Sequence, residues 1–164
     1  FSDHEYPGID VVLPDLDFIE RRQDDLLGLL LTHGHEDHIG AVPYLAADLK
    51  VPIYATPFTA GLVAEKLEEE GLTGQVKLRV IQPGERLDFG PFAVTYVPVA
   101  HSIAEASGLL IETPYGRVFH TGDWKLDDTP VLGNRTAGET LSAIGDEGVL
   151  ALVCDSTNAF TDQV

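Results

Sequence analysis

Leu30-Leu31-Thr32-His33-Gly34-His35-Glu36-Asp37-His38-Ile39-Gly40 decides how this 164-residue chain is read. Three of the chain's six histidines, together with Asp37, fall within residues 33–38. An apolar run at 26–31 precedes them and reads as a buried strand. His33 and His35 are two apart, so extended backbone turns both imidazoles to one side. Asp37 and His38 follow where the chain leaves the strand. One short segment therefore offers three imidazole nitrogens and a carboxylate to a common point. A single tetrahedral catalytic zinc with a position left for water needs fewer ligands. The set suits two metals sharing a nucleophilic water. Asp37 and His38 could also cap a helix, but capping does not call for three histidines at a strand end.

Two more strand ends carry the same chemistry. His101 follows an alternating segment at 92–99, and Asp123 follows a strand at 117–121 in His120-Thr121-Gly122-Asp123-Trp124. Residues just past strand ends can converge on one rim, where sites are commonly grafted onto a scaffold.

The remaining elements interleave. A strand is expected at 9–13, closed by Pro14, with a short helix over 15–22. A helix at 41–49, a strand at 53–55 and a helix from Pro57 to Gly71 follow. Strands at 76–81, 92–99, 109–113 and 117–121 come next, the last two joined as a hairpin through Pro114-Tyr115-Gly116. A helix at 136–144 and a strand at 149–154 close the series. The expected architecture is α/β, a mixed sheet covered by helices in a sandwich.

Composition narrows the function. A hydrophobic content of 44% fits a globular domain with a real core. There is no apolar run of membrane-spanning length and no signal-peptide pattern at the start, so a soluble, cytoplasmic chain is expected. Cys154 is the only cysteine, which precludes an internal disulfide. Its apolar neighbours predict a buried strand thiol. The net charge of −17, from 27 acids against 10 bases, argues against autonomous nucleic-acid binding. It leaves a nuclease open, because bound divalent cations reverse the local field. The acid-rich stretch at 65–70 reads as a solvated helix face.

The order His-x-His-x-Asp-His, a distant His, then Thr-Gly-Asp resembles the metallo-β-lactamase superfamily. Longer segments narrow the resemblance: Pro7-Gly8-Ile9-Asp10, the stretch from Thr32 to Leu45, His101-Ser102-Ile103, His120 to Asp127, and Cys154-Asp155-Ser156-Thr157-Asn158-Ala159. These look like the bacterial ribonuclease J family of β-CASP-type RNases. The resemblance implies an αββα sandwich, here incomplete. Residues 1–164 would be part of a metallo-β-lactamase domain that ends where a β-CASP domain begins. The family's first strands, its β-CASP domain and a last histidine ligand are not in this sequence. Ala104 stands where the family has proline.

The resemblance further implies that His33, His35 and His101 hold a first metal. Asp37 and His38 would hold a second, with Asp123 bridging. Asp37, His38 and Asp155 would be catalytic, Asp155 orienting a downstream histidine or stabilising a proton relay. Nitrogen-rich ligation favours zinc, and the two aspartates admit manganese. The implied substrate is single-stranded RNA, cut internally and from the 5′ end by a homo-oligomeric enzyme. His120 is expected to support the site without ligating, Trp124 to pack in the core, and His4 to have no role. A thioesterase of the glyoxalase II type, a lactamase and a non-catalytic metal-binding module are the competing readings. The segment Asp155-Ser156-Thr157 favours the β-CASP reading over the first two.

Overall fold

The computed structural model describes residues 12–160 except 14, 128, 134, 137 and 158. His4 and most of the strand expected at 9–13 lie outside the described residues. Val12 and Leu13 are described and belong to no strand.

Two sheets form, as the αββα sandwich implied by the resemblance requires, and not the single mixed sheet that the order of elements alone suggests. The first takes β1 (Leu29–Leu30), β2 (Ile53–Ala55) and β3 (Leu78–Val80), all parallel, in the order β1-β2-β3. Parallel neighbours need long crossovers. These are α2 (Glu36–Ile39) with α3 (Val42–Leu49), then α4 (Pro57–Glu69). A single-turn helix α1 (Asp17–Glu20) precedes β1. The second sheet is an antiparallel meander of β4 (Arg86–Phe89), β5 (Phe92–Pro98), β6 (Ser107–Thr113) and β7 (Gly116–His120). After α5 (Gly138–Asp146), β8 (Ala151–Val153) adds in parallel at the β7 edge.

Strand periodicity sorts the apolar side chains into three layers. On the outer face of the first sheet, Leu31, Ile53 and Ala55 pack with Ile39, Val42, Ala46, Ala60, Val63 and Leu67 of α2–α4. Between the sheets, Leu30 and Tyr54 meet Val94, Tyr96, Leu109 and Ile111. On the outer face of the second sheet, Val97, Leu110 and Phe119 meet Leu141 and Ile144 of α5. The layering is helix, sheet, sheet, helix. Tyr96 is fully buried, and its hydroxyl donates to the Tyr54 carbonyl across the inter-sheet space at 3.2 Å.

Several boundaries differ from those read in the sequence. The run at 26–31 contributes only two ladder residues. Leu26 ends a 3-10 turn at Gln23–Asp25, and Gly28 lies beneath the Tyr54 ring, where a Cβ would come within 2.8 Å of a ring carbon. The helix expected at 15–22 is reduced to the four residues of α1. β4 went unread because it is short, but Leu87 and Phe89 give it an inward face against the inter-sheet core. Cys154 is exposed, not buried. It follows β8, an edge strand whose three residues are all exposed, so its apolar sequence neighbours cover nothing.

Tyr96→Phe should cost about 1 kcal/mol, because it removes one buried hydrogen bond and leaves the Tyr54 carbonyl paired with the Leu31 amide. Tyr96→Ala should cost about 3–5 kcal/mol by opening a cavity between the sheets. Urea midpoints at unchanged slope measure both.

Candidate metal centre

The candidate ligands gather where the ends of β1, β5 and β7 approach one another. His33 lies just past β1 and is 0% exposed. His35 is the N-cap of α2, still extended, with no side-chain capping bond. Asp37 and His38 sit on the single turn of α2, so the segment is a strand end plus a helical turn and not a loop alone. His101 follows β5, and Asp123 follows β7.

The donor atoms face one another. His35 Nδ1 lies 3.2 Å from His33 Nε2 and 3.1 Å from His101 Nε2. One Asp123 oxygen is 3.9 Å from His33 Nε2 and 3.8 Å from His101 Nε2, and the other is 3.3 Å from His38 Nε2. Two three-residue groups result: His33, His35 and His101, and His33, His38 and Asp123, each with donor atoms within 4.8 Å of one another. Asp123 thus turns an oxygen to each. Asp37 belongs to neither group. Its carboxylate stands 3.6 Å from His38 Nε2, and its side chain is 76% exposed.

This donor set fits a cation. His35 Nδ1 is approached by two imidazole nitrogens, and with a single proton or a single lone pair it can satisfy only one of those contacts. An ion bound at 2.0–2.1 Å in tetrahedral geometry sets neighbouring nitrogens about 3.4 Å apart, close to the spacings seen. Protonation is disfavoured besides. Burial, then the neighbouring His38, His101 and His35, push the His33 imidazole down to about 3. Burial and His35 also lower His101. Both are therefore held neutral, the form that ligates metal.

Supporting groups fix the aim of these side chains. Thr32 Oγ1 meets His33 Nδ1 at 3.1 Å, which leaves Nε2 for the site. The Thr32 carbonyl accepts from the Ser107 amide of β6 at 3.0 Å, joining the two sheets. Gly122 adopts φ +58, and a Cβ there would lie 2.9 Å from the Ser107 carbonyl oxygen. Only glycine both takes this left-handed turn and clears that oxygen, and the turn delivers Asp123. His120 belongs to neither group, and its Nδ1 accepts from the Gly122 amide at 3.0 Å. Trp124 is half-buried. Asp155 lies close enough for its charge to act on His101. Its carboxylate accepts from the Thr157 amide and hydroxyl at 2.9 and 2.6 Å, bonds that hold it below the usual carboxylate range. Thr32 and Gly122 stood inside motifs quoted from the sequence, yet their support depends on contacts between sheets that no local pattern reveals.

The model of the beta-lactamase superfamily domain matches residues 7–144. Ribonuclease J of Sinorhizobium meliloti is 46% identical over 164 residues, covering all of this chain and 29% of the relative. Ribonuclease J 1 of Streptococcus pyogenes is 43% identical, covering 97% of this chain and 28% of its own length. The chain thus spans less than a third of the length of these curated relatives. Among solved structures, the metallo-beta-lactamase fold protein YhfI from Bacillus subtilis superposes with a TM-score of 0.51 at 23% identity, over 65% of this chain and 44% of that one. Zinc-bound PqqB from Methylobacterium extorquens gives 0.52 at 20% identity, over 58% and 38%. These two speak to the fold alone. With its two sheets between helices, its converging histidines and a family match over most of its length, this chain belongs to the metallo-β-lactamase superfamily, and along its length it is similar to part of ribonuclease J.

Proposed function

We propose that this chain is the metal-binding part of a ribonuclease that cleaves single-stranded RNA, both from the 5′ end and internally, in cytoplasmic RNA processing and decay. The carrying observation is the convergence of His33, His35, His38, His101 and Asp123 in a chain whose curated relatives are named ribonuclease J. On this reading His33, His35 and His101 hold one divalent ion. Asp37 and His38 hold a second, and Asp123 bridges them. Zinc suits the nitrogen-rich set, and manganese is the alternative. When bound, such ions acidify a water and neutralise charge on the phosphate under attack.

The chain's own groups do the rest. Burial keeps His33 and His101 unprotonated and ready to ligate. Thr32 and Gly122 fix the directions of His33 and Asp123. Both Thr157 bonds fall on one carboxylate oxygen of Asp155, and on this reading the other would orient a histidine from a β-CASP domain. The net charge of −17 means that RNA is drawn in by the bound cations and by protein outside this chain.

The decisive assay is release of 5′-monophosphate products from 5′-monophosphorylated single-stranded RNA by the full-length enzyme, with zinc or manganese supplied. Thioester hydrolysis without RNA cleavage would overturn the reading. Asp37→Ala should lower the rate by at least ~10², the scale of losing a charge-stabilising group from a preorganised site. Glu69→Ala, on the solvated face of α4, should leave it unchanged. The 164-residue chain alone should turn over more than tenfold more slowly than the full-length enzyme, because a second-metal ligand and most of the RNA channel would come from outside it. Activity of the chain within tenfold would show that neither is needed.

A further inference from the structure

Glu105 is one of two non-glycine residues with positive φ among the described residues, at +59. It closes the loop that carries His101, a loop pinned at its base by the Val99 amide donating to the Ala106 carbonyl at 3.0 Å. A left-handed glutamate persists only where its surroundings over-determine it. They do so here. Its carboxylate accepts from the Phe58 amide at 2.7 Å, one of the unpaired donors in the first turn of α4. Its carbonyl accepts from the hydroxyls of Ser107 and Thr56, at 3.2 and 3.5 Å. Thr56, the N-cap of α4, makes no side-chain capping bond of its own. The helix is capped instead from a loop 47 residues away, and the carboxylate also complements the positive end of the helix.

The same helix supports the other ligands. Lys66 pairs with Glu36 of α2 at 2.8 Å, next to His35 and Asp37. Gly34, between His33 and His35, lies against Leu62 and Thr59 of α4 and against Ile103 of the His101 loop. α4 is thus a common platform for both halves of the histidine cluster.

We infer that Glu105 is a positioning residue, which sets His101 against His33 and His35 by pinning its loop to the N-terminus of α4. This rests on the metal reading above. It touches neither substrate nor metal. Its loss should weaken metal binding by roughly tenfold to a hundredfold, the usual effect of removing a group that orients a ligand.

The test is zinc affinity by chelator competition on the full-length protein, with melting temperatures of the metal-free form. Glu105→Ala should bind zinc at least tenfold more weakly. Glu105→Gln, whose amide oxygen still accepts from Phe58, should recover affinity to within about threefold. Glu105→Gly relieves the left-handed strain and so stays folded even if the alanine variant does not, yet it should share the affinity loss. Arg117→Ala serves as control. Arg117 binds the Gly148 and Ile144 carbonyls at the end of α5, so its loss should lower the melting temperature without changing zinc affinity. Wild-type affinity in the glycine variant would overturn the inference, as would an affinity loss in Arg117→Ala equal to that of Glu105→Gly. A wild-type protein that binds neither zinc nor manganese would overturn the metal reading itself.

Discussion

The 3.0 Å bond from the Ser107 amide to the Thr32 carbonyl is the constraint on which the site depends. It is the point where the parallel and antiparallel sheets touch through main chain, one residue before His33. On one side it fixes Thr32, whose hydroxyl orients His33. On the other it fixes the carbonyl of Ser107, against which only a glycine at 122 can turn. The inter-sheet core of Tyr54, Tyr96, Val94 and Leu109 holds the sheets at the separation that permits this bond. Packing and site geometry are therefore one problem: the apolar layer sets the distance at which the ligands face one another.

The polar part of the fold concentrates at one rim for the same reason. His33 sits at the edge of the apolar layer and has lost contact with water. Imidazoles crowded there cannot all be charged, and Asp123 supplies the only carboxylate within their two groups. A neutral nitrogen cluster with one anionic bridge is the arrangement a divalent cation stabilises most and a proton least.

Much of this was legible in the sequence, and what was not has a physical cause. The spacing of His33, His35, Asp37 and His38 is local, so it announces itself. β2, α3 and α4 were readable because propensity and punctuation agree there: Pro57 at the helix start, and Gly71 just beyond its end at φ +68. Periodicity alone did not divide the strands into two sheets, since Val94 and Val97 look alike in sequence yet face opposite layers; the αββα layering came from the resemblance. Cys154 was misread because apolar neighbours mark burial only when another layer covers them, and β8 is an edge. Glu105 passed unnoticed because its role joins residues 47 positions apart.

The bond pattern also carries a consequence for how the centre comes into being. The meander β4–β7 pairs neighbours in sequence and can form early, whereas His35 and His101 meet across 66 residues. The ligands come together only when the two sheets dock. Metal binding then draws on a state absent from the unfolded chain, and every increment of its free energy becomes folding free energy. A divalent cation held at such a centre would therefore stabilise the docked sheets as well as complete the site.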